Sequence, residues 1–419
     1  MEPMTLQEAS VATGAGIAAY RRGGPGYRRI TFALFAAGMT TFVAMYAAQA
    51  VLPALATDFA VSPATSALVV SATTGALALA IIPMSALSER YGRVRVMVAC
   101  ALVSVVVGLV LPWVPSMGWV VGLRAVQGLA LAGVPATAMA YLAEEVHPGD
   151  LGAAMGRYIA GTTLGGLAGR LVGAFTLDVS TWRWALEVAA LVALAFTVMF
   201  LRLAPASRRF TARRGGAGVT VRAVAEHLRQ PALLGLFATS FLLMGGFVAV
   251  YNIVGFRLLA RPFSLSEAVV GLVFLMYLSG TATSAGAGRL ADRWGRGRTL
   301  AAAEAVLTVG LALTLSSRLP LVLMGMLLFT GGFFAAHAVA SGWVGVIARR
   351  HRAEASALYL FAYYAGSSVL GALAGLAYAA WAWPGVVAYV GVLVAVAGAV
   401  AGWLWAREVR SECAPAAAP

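Results

Sequence analysis

The segment Ser85-Ala-Leu-Ser-Glu89-Arg-Tyr-Gly-Arg-Val-Arg95 returns 203 residues later as Gly288-Arg-Leu-Ala-Asp292-Arg-Trp-Gly-Arg-Gly-Arg298. Each copy closes one long apolar run and opens another. A hairpin this charged is too costly in hydrocarbon, so each copy reads as a tight loop between two membrane-crossing helices. Its duplication half a chain apart makes the chain two homologous halves. Repeated membrane bundles of this kind are the architecture of secondary transporters.

Composition explains where the repeats must live. Hydrophobic residues make up 61% of the chain and charged residues 11%. A soluble domain could not cover that much apolar surface, so lipid must. Residues 31–57, 59–88, 96–123, 319–348 and 355–406 carry no Asp, Glu, Lys or Arg. About 20 apolar residues cross a bilayer as helix, and the last stretch holds two crossings divided at Trp381-Ala-Trp-Pro384-Gly385. Twelve spans are expected, starting near residues 30, 65, 96, 117, 153, 182, 231, 267, 299, 319, 355 and 384. The expected fold is an all-α membrane protein of twelve transmembrane helices in two pseudo-symmetric six-helix bundles. Its parts are a cytoplasmic tail (1–28), a first bundle (29–203), a basic linker (204–230), a second bundle (231–406) and a second cytoplasmic tail (407–419). Within the linker, Gly215-Gly-Ala-Gly218 suits a flexible stretch and Val219–Leu228 an amphipathic surface helix.

All 30 basic side chains are arginine. Without Lys the chain lacks the phosphate-binding loop of an ATPase, so a gradient or a separate subunit must supply any driving force. Arginines outside the spans concentrate on one side, leaving Arg183, Arg257, Arg261 and Arg318 on the other. Basic loops resist translocation, so both termini are expected in the cytoplasm. The basic excess faces anionic lipid and needs no nucleic-acid partner. Residues 1–29 lack the order of a signal peptide. Cys100 and Cys413 are unsuited to a structural disulfide, and no His/acid spacing suits a metal. No nucleophile–base pair argues for an enzyme, and no cofactor is expected.

The chain resembles the major facilitator superfamily over residues 29–406. Gly288, Leu290, Asp292, Arg293, Gly295 and Arg296 match its loop signature G-x-L-a-D-r-x-G-r-r, while the first copy departs at Ser85 and Glu89. Leu123-Arg124-Ala-Val-Gln127-Gly128 is similar to the family's arginine motif in span 4. Gly161, Gly165, Gly166, Gly169 and Arg170 resemble the exporters' signature G-x3-G-P-x2-G-G, with Gly166 at the Pro position and Arg170 at the last Gly. Asp178-Val-Ser-Thr-Trp182-Arg183-Trp184 also looks like the drug- and sugar-efflux branch. The resemblance implies alternating access, with Glu89, Arg90, Gly92, Arg93, Gly288, Asp292, Arg293, Gly295 and Arg296 forming gating loops. Glu89 and Asp292 are then expected to cap helix N-termini of the opposite half.

Other candidates come from the cost of polarity in lipid. An arginine at a helix centre costs about 2.5–3.5 kcal/mol on insertion scales. Arg124 and Arg170 lie roughly 10 Å deep at 1.5 Å per residue, and their repeat counterparts are Leu327 and Leu376. Both are expected to face a water-filled cavity; of the few acids near them, Glu187 is expected to snorkel at the interface rather than neutralise either, and Asp58 to be solvated at the outer end of span 1. For the arginines, snorkelling is the structural alternative. Loss of Arg124 is expected to abolish transport and spare folding. His337, the one His within a span, suits proton exchange or cavity lining. Tyr46, Gln49, Gln127, Asn252, Tyr359 and Tyr363 are further cavity candidates, each equally able to join helices by hydrogen bonds. Gly156 to Gly173 recur at four- or five-residue spacing, suiting close helix contact or a gate helix bending against span 8. Glu304 is expected to pair with the arginine-rich loop beside it.

The expected function is secondary active transport by alternating access, as proton-coupled export of a small drug-like or sugar-like molecule. Uptake of an organic anion is the alternative, and a non-transporting membrane receptor the reading from another class. Expected partners are a small-molecule substrate, protons and the bilayer of a bacterial inner membrane, with the chain working as a monomer.

Overall fold

The computed structural model describes residues 18–210, 217–348 and 350–413. Those residues are almost wholly helical. The first span is α1 (Pro25–Ala50) and α2 (Leu52–Asp58), broken at Val51 just before Pro53. Proline cannot donate to the preceding turn, which fixes the break there. Then come α3 (Pro63–Tyr91), α4 (Arg93–Val110), α5 (Met117–Leu131) with α6 (Gly133–Glu145), α7 (Leu151–Val179) and α8 (Trp182–Leu203). The linker helix is α9 (Ala217–Leu228), so Ala217 and Gly218 already belong to a helix, while Gly215 and Gly216 lie outside the described residues. The second set is α10 (Pro231–Leu259), α11 (Glu267–Gly271) joined by a 3-10 turn to α12 (Tyr277–Trp294), α13 (Arg296–Leu313), α14 (Leu319–Ile347) and α15 (Arg352–Cys413). Non-helical torsions at Trp381 and Ala382 break α15 into two crossings, just ahead of Pro384.

Nine stretches of described helix are long and apolar enough to cross a membrane. Three more bring the count to twelve. The α15 stretch counts once but crosses twice; glycines and Arg170 dilute α7; Arg296, Arg298 and Glu304 charge α13. Each crossing begins within a few residues of its expected start. The expected tails fall partly beyond the described residues, and α15 carries helix on to Cys413.

Twelve crossings put the start of α1 and the end of α15 at one end of the bundle, here the terminal end. The other is the distal end. Both duplicated loops turn at a glycine with positive φ, +101° at Gly92 and +88° at Gly295. Side-chain-bearing residues avoid that region, which is why the hairpin motif needs glycine there. A Cβ at Gly288 would meet nothing within 4 Å, so packing does not require the motif's glycine at that position.

The glycine row of α7 makes the expected close helix contact, and its partner is α1. A Cβ at Gly161 would strike Phe35, at Gly165 it would sit 2.9 Å from Met39 Cα, and at Gly169 2.7 Å from the Val43 carbonyl. The row therefore lets α7 close on α1 within its own half, not on span 8. The repeat performs the same task in the other half, where Gly366 and Gly371 of α15 meet Phe241 and Val248 of α10.

The halves meet at the distal end. Ser368 donates to the Ser71 carbonyl at 2.7 Å, and the Ala268 amide to Asp178 at 3.1 Å. Gly375 lies on Ala64 and Gly271 on Ala174. Among the described residues no hydrogen bond or ion pair joins the halves at the terminal end. The polar bonds that join the halves thus lie centrally and distally.

Candidate functional site

Arg170 stands where the halves touch. It is 2% exposed. Its Nε donates to Gln49 Oε1 at 2.8 Å, Nη1 to the Gly166 carbonyl at 2.8 Å, and Nη2 to the Tyr277 hydroxyl at 3.1 Å. The rings of Tyr46 and Tyr277 lie 4.0 and 4.3 Å from its Cζ. No carboxylate comes within 4.0 Å of it among the described residues. Burying an unpaired guanidinium costs several kcal/mol. Desolvated cation–π contacts return about 2 kcal/mol, and hydrogen bonds to charged groups about 1.5–3 kcal/mol each. The position is tolerable, with its charge not neutralised. Gly166, which stands where the exporter signature has proline, leaves room for this: a Cβ there would sit 3.3 Å from Arg170 Nη1.

Gln49 passes the contact across the interface. Its carbonyl faces Arg170, so its amide donates to Asn252 Oδ1 at 2.8 Å. Asn252 Nδ2 is left as a buried donor with no partner among the described residues. From Tyr277 an aromatic wall runs into the second half. Phe247 packs on Tyr277 at 5.3 Å and stacks on Phe333 at 3.9 Å. Phe333 stacks on His337 at 6.1 Å, and His337 lies 4.8 Å from Tyr363. His337 Nδ1 shares a 3.0 Å hydrogen bond with the Tyr359 hydroxyl. The structure thus gathers Tyr46, Gln49, Arg170, Asn252, His337, Tyr359 and Tyr363 along one central path. Tyr277 and Phe247, which sequence reasoning passed over, connect them. A lone mid-span tyrosine in a Gly- and Ser-rich helix was the available signal for Tyr277.

Arg124 and Gln127 lie elsewhere. Arg124 is 3% exposed. It donates to the carbonyls of Ala44 (2.7 Å), Met45 (2.6 Å) and Val69 (3.1 Å) and to Gln127 Oε1 (2.6 Å). Gln127 in turn donates to the Ser104 carbonyl at 2.9 Å. Helix carbonyls keep a second lone pair beyond their ladder bond, and Arg124 uses three of them. The expectation of a water-filled cavity around both arginines therefore fails here. The adjoining cavity is 20 Å³, room for about one water. Arg124 is a tie between α5, α1 and α3, not part of the path.

Of the acids, Glu187 and Asp58 fall where expected, clear of both buried arginines, and Glu304 does not. Glu187 accepts from Trp113 Nε1 at 3.1 Å and touches neither arginine. Asp58 is exposed at the distal end, where Trp182 Nε1 and Arg183 Nη1 donate to it at 2.8 and 3.0 Å, holding its carboxyl below the ordinary range. Glu304 does not pair with the loop. It sits eight residues into α13, 3% exposed and facing Gly398, with neither oxygen partnered among the described residues.

In the first hairpin Arg93 donates to Glu144 Oε1 from Nε and Nη2 at 3.1 and 2.9 Å, and from Nη1 to Ser88 at 2.7 Å. Glu89 sits 3.8 Å from Arg93. In the second, the Arg296 and Gly297 amides donate to Glu408 at 3.2 and 2.8 Å. A carboxylate thus caps the α13 N-terminus, but it is Glu408 of the same half. Among the described residues Glu89 and Asp292 cap no helix of the opposite half. Arg90 lies over Tyr91, and Asp292 and Arg293 are exposed.

Two six-helix halves that meet along a polar and aromatic path define a membrane transporter. The chain belongs to the Major Facilitator Superfamily, whose model matches residues 33–258 and 236–418. It is 39% identical to the uncharacterized MFS-type transporter YybF of Bacillus subtilis (strain 168), over 93% of this chain and 96% of that one. It is 41% identical to the inner membrane transport protein YnfM of Escherichia coli (strain K12), over 90% of each. Among solved structures it is similar to a bacterial homologue of the human lysosomal transporter Spinster in an inward-facing, unoccupied conformation. That match has a TM-score of 0.78 at 16% identity and covers 94% of this chain and all of the other. The nucleoside transporter NupG gives 0.75 at 14% identity, covering 90% and 100%. The chain is a transporter and not an enzyme.

Proposed function

We propose that this protein is a proton-coupled secondary transporter that exports a small organic anion with a planar apolar body. The observation that carries the reading is Arg170: buried where the halves meet, unmatched by any carboxylate, and continuous with the aromatic wall that ends at His337. The central lengths of the path helices contain no Asp or Glu, so an organic cation has no counter-charge there. An anion supplies what Arg170 lacks, and aromatic side chains suit a flat apolar body. His337 is the side chain on this path whose ordinary pKa lies near neutrality, so it is the proposed proton carrier. The arginine bias puts the terminal end in the cytoplasm of a bacterial inner membrane, so the end at which no polar bond joins the halves among the described residues is the cytoplasmic one. Both halves of the path lie in one chain, which suits a monomer.

Flux of radiolabelled benzoate into proteoliposomes tests this, with a neutral sugar and a cationic dye as other arms. Exchange of an anion for a proton moves two charges the same way. An acidic lumen and a lumen-positive potential should each drive benzoate in. One-to-one symport, the uptake reading, would need an alkaline lumen and ignore the potential. Arg170→Gln should lower anion flux at least tenfold. Flux of sugar or dye but not benzoate, unaffected by Arg170→Gln, would overturn the anion assignment and return the drug-like or sugar-like substrate.

A further inference from the structure

We propose that a groove on the lipid-facing side of the first bundle seats one acyl chain of an anionic phospholipid, whose phosphate is held by Arg95. The groove lies between α3, α4 and α5 and encloses 580 Å³. Its floor is Val96, Cys100 and Ala130, all buried, and its walls include Leu87, Val103 and Leu129, all exposed. It runs from Arg95 to Val103, about 12 Å along α4 at 1.5 Å per residue. That is shorter than one leaflet's hydrocarbon, about 15 Å. The groove therefore accepts a chain from a single leaflet.

Charge selects the occupant. The lining is apolar except at the terminal end, where Arg95 and the Tyr91 hydroxyl stand at the mouth. Arg95 is exposed and takes no ion pair among the described residues, and Arg90 lies 5.3 Å over the Tyr91 ring. Arg95 at the mouth of an apolar slot, with Arg90 over the lining Tyr91 ring beside it, matches a phosphodiester above an acyl chain. The two arginines argue against a second copy of this chain, since two-fold pairing would set arginine against arginine. The wall contributed by α3 is the segment between Pro83 and the Gly92 turn. Among the described residues no hydrogen bond or ion pair ties that segment to the other half, and a seated chain holds it against α4 and α5.

The test uses the full chain purified in neutral detergent, with phosphatidylglycerol added and phosphatidylcholine as comparison. Native mass spectrometry should show retained phosphatidylglycerol, and the melting temperature should rise. Arg95→Gln should cut retention about fivefold, the worth of one arginine near an anionic headgroup. Ala99→Trp, which fills the slot from an exposed position, should remove retention of both lipids. Arg298→Gln, the repeat's counterpart in the second half, should change nothing. In Cys413→Ser protein, phosphatidylglycerol should slow N-ethylmaleimide labelling of Cys100, a readout that needs no groove variant. Equal retention by Arg95→Gln and Ala99→Trp, equal loss in Arg298→Gln, or Cys100 labelling indifferent to lipid would each overturn the proposal. None of these results depends on the transported substrate.

Discussion

Gln49 of the first half donates to Asn252 of the second at 2.8 Å, and the two are 203 positions apart, the same offset that separates the duplicated loops. They are repeat counterparts meeting each other where the halves touch. Such a pair can bridge only while the distal end is closed. Replacing Gln49 with Leu removes this bond and the acceptor for Arg170 Nε. A buried donor left unpaired costs about 1–3 kcal/mol, so the closed distal contact should weaken by roughly fivefold to a hundredfold. A cysteine at Ala174, in the Gly271 contact of a Cys100→Ser, Cys413→Ser background, should then react faster with a membrane-impermeant maleimide. Unchanged labelling would refute the latch.

Arg124 should behave as a structural residue. Arg124→Ala removes four buried charge-assisted bonds, three of which tie α5 to α1 and α3, leaves Gln127 Oε1 unpaired and opens a cavity, at a cost of about 3 kcal/mol or more. A lower yield of folded protein and a depressed melting temperature are expected, with flux lost in proportion to folded protein. Arg124→Lys should rescue little, because one ammonium cannot span the positions reached by a planar fork. Full stability with selective loss of flux would show that Arg124 belongs to the path after all.

The α7 glycines should separate by partner. Gly161→Ala meets backbone of α1 and should destabilise by about 1–3 kcal/mol, as overpacking does. Gly166→Ala meets the movable ends of Arg170 and Tyr46 instead. It should leave the melting temperature nearly unchanged while altering anion flux. Comparing thermal melts with flux for the two variants checks the distinction.

Asp58 supplies a pH signature at the distal end. Bonds from Trp182 and Arg183 depress its pKa. A depressed carboxylate contributes stability that is present above its ordinary pKa, about 4, and lost as pH falls through the folded value. Wild type should therefore melt above Asp58→Asn at neutral pH, and the gap should close as pH falls below about 4. A gap that stayed constant or widened on acidification would contradict the assignment.

The class of fold was legible because lipid makes the sequence explicit. Every span must be apolar and every loop polar, so crossings and hairpins could be read directly, and the repeat showed through the loop copies around Gly92 and Gly295. The need for small residues at helix contacts was legible too, but not the partner: nothing in the spacing of Gly161, Gly165 and Gly169 says that α1 rather than span 8 lies against them. The two arginines make the limit plain. At similar depth and with the same cost of burial, Arg124 and Arg170 look alike in sequence. Helix rotation decides that one ends among backbone carbonyls of its own half and the other against Gln49, Tyr46 and Tyr277 where the halves meet. That difference arises from which neighbours each guanidinium finds in three dimensions, which only the packed structure determines; the sequence by itself determined that each had to find some.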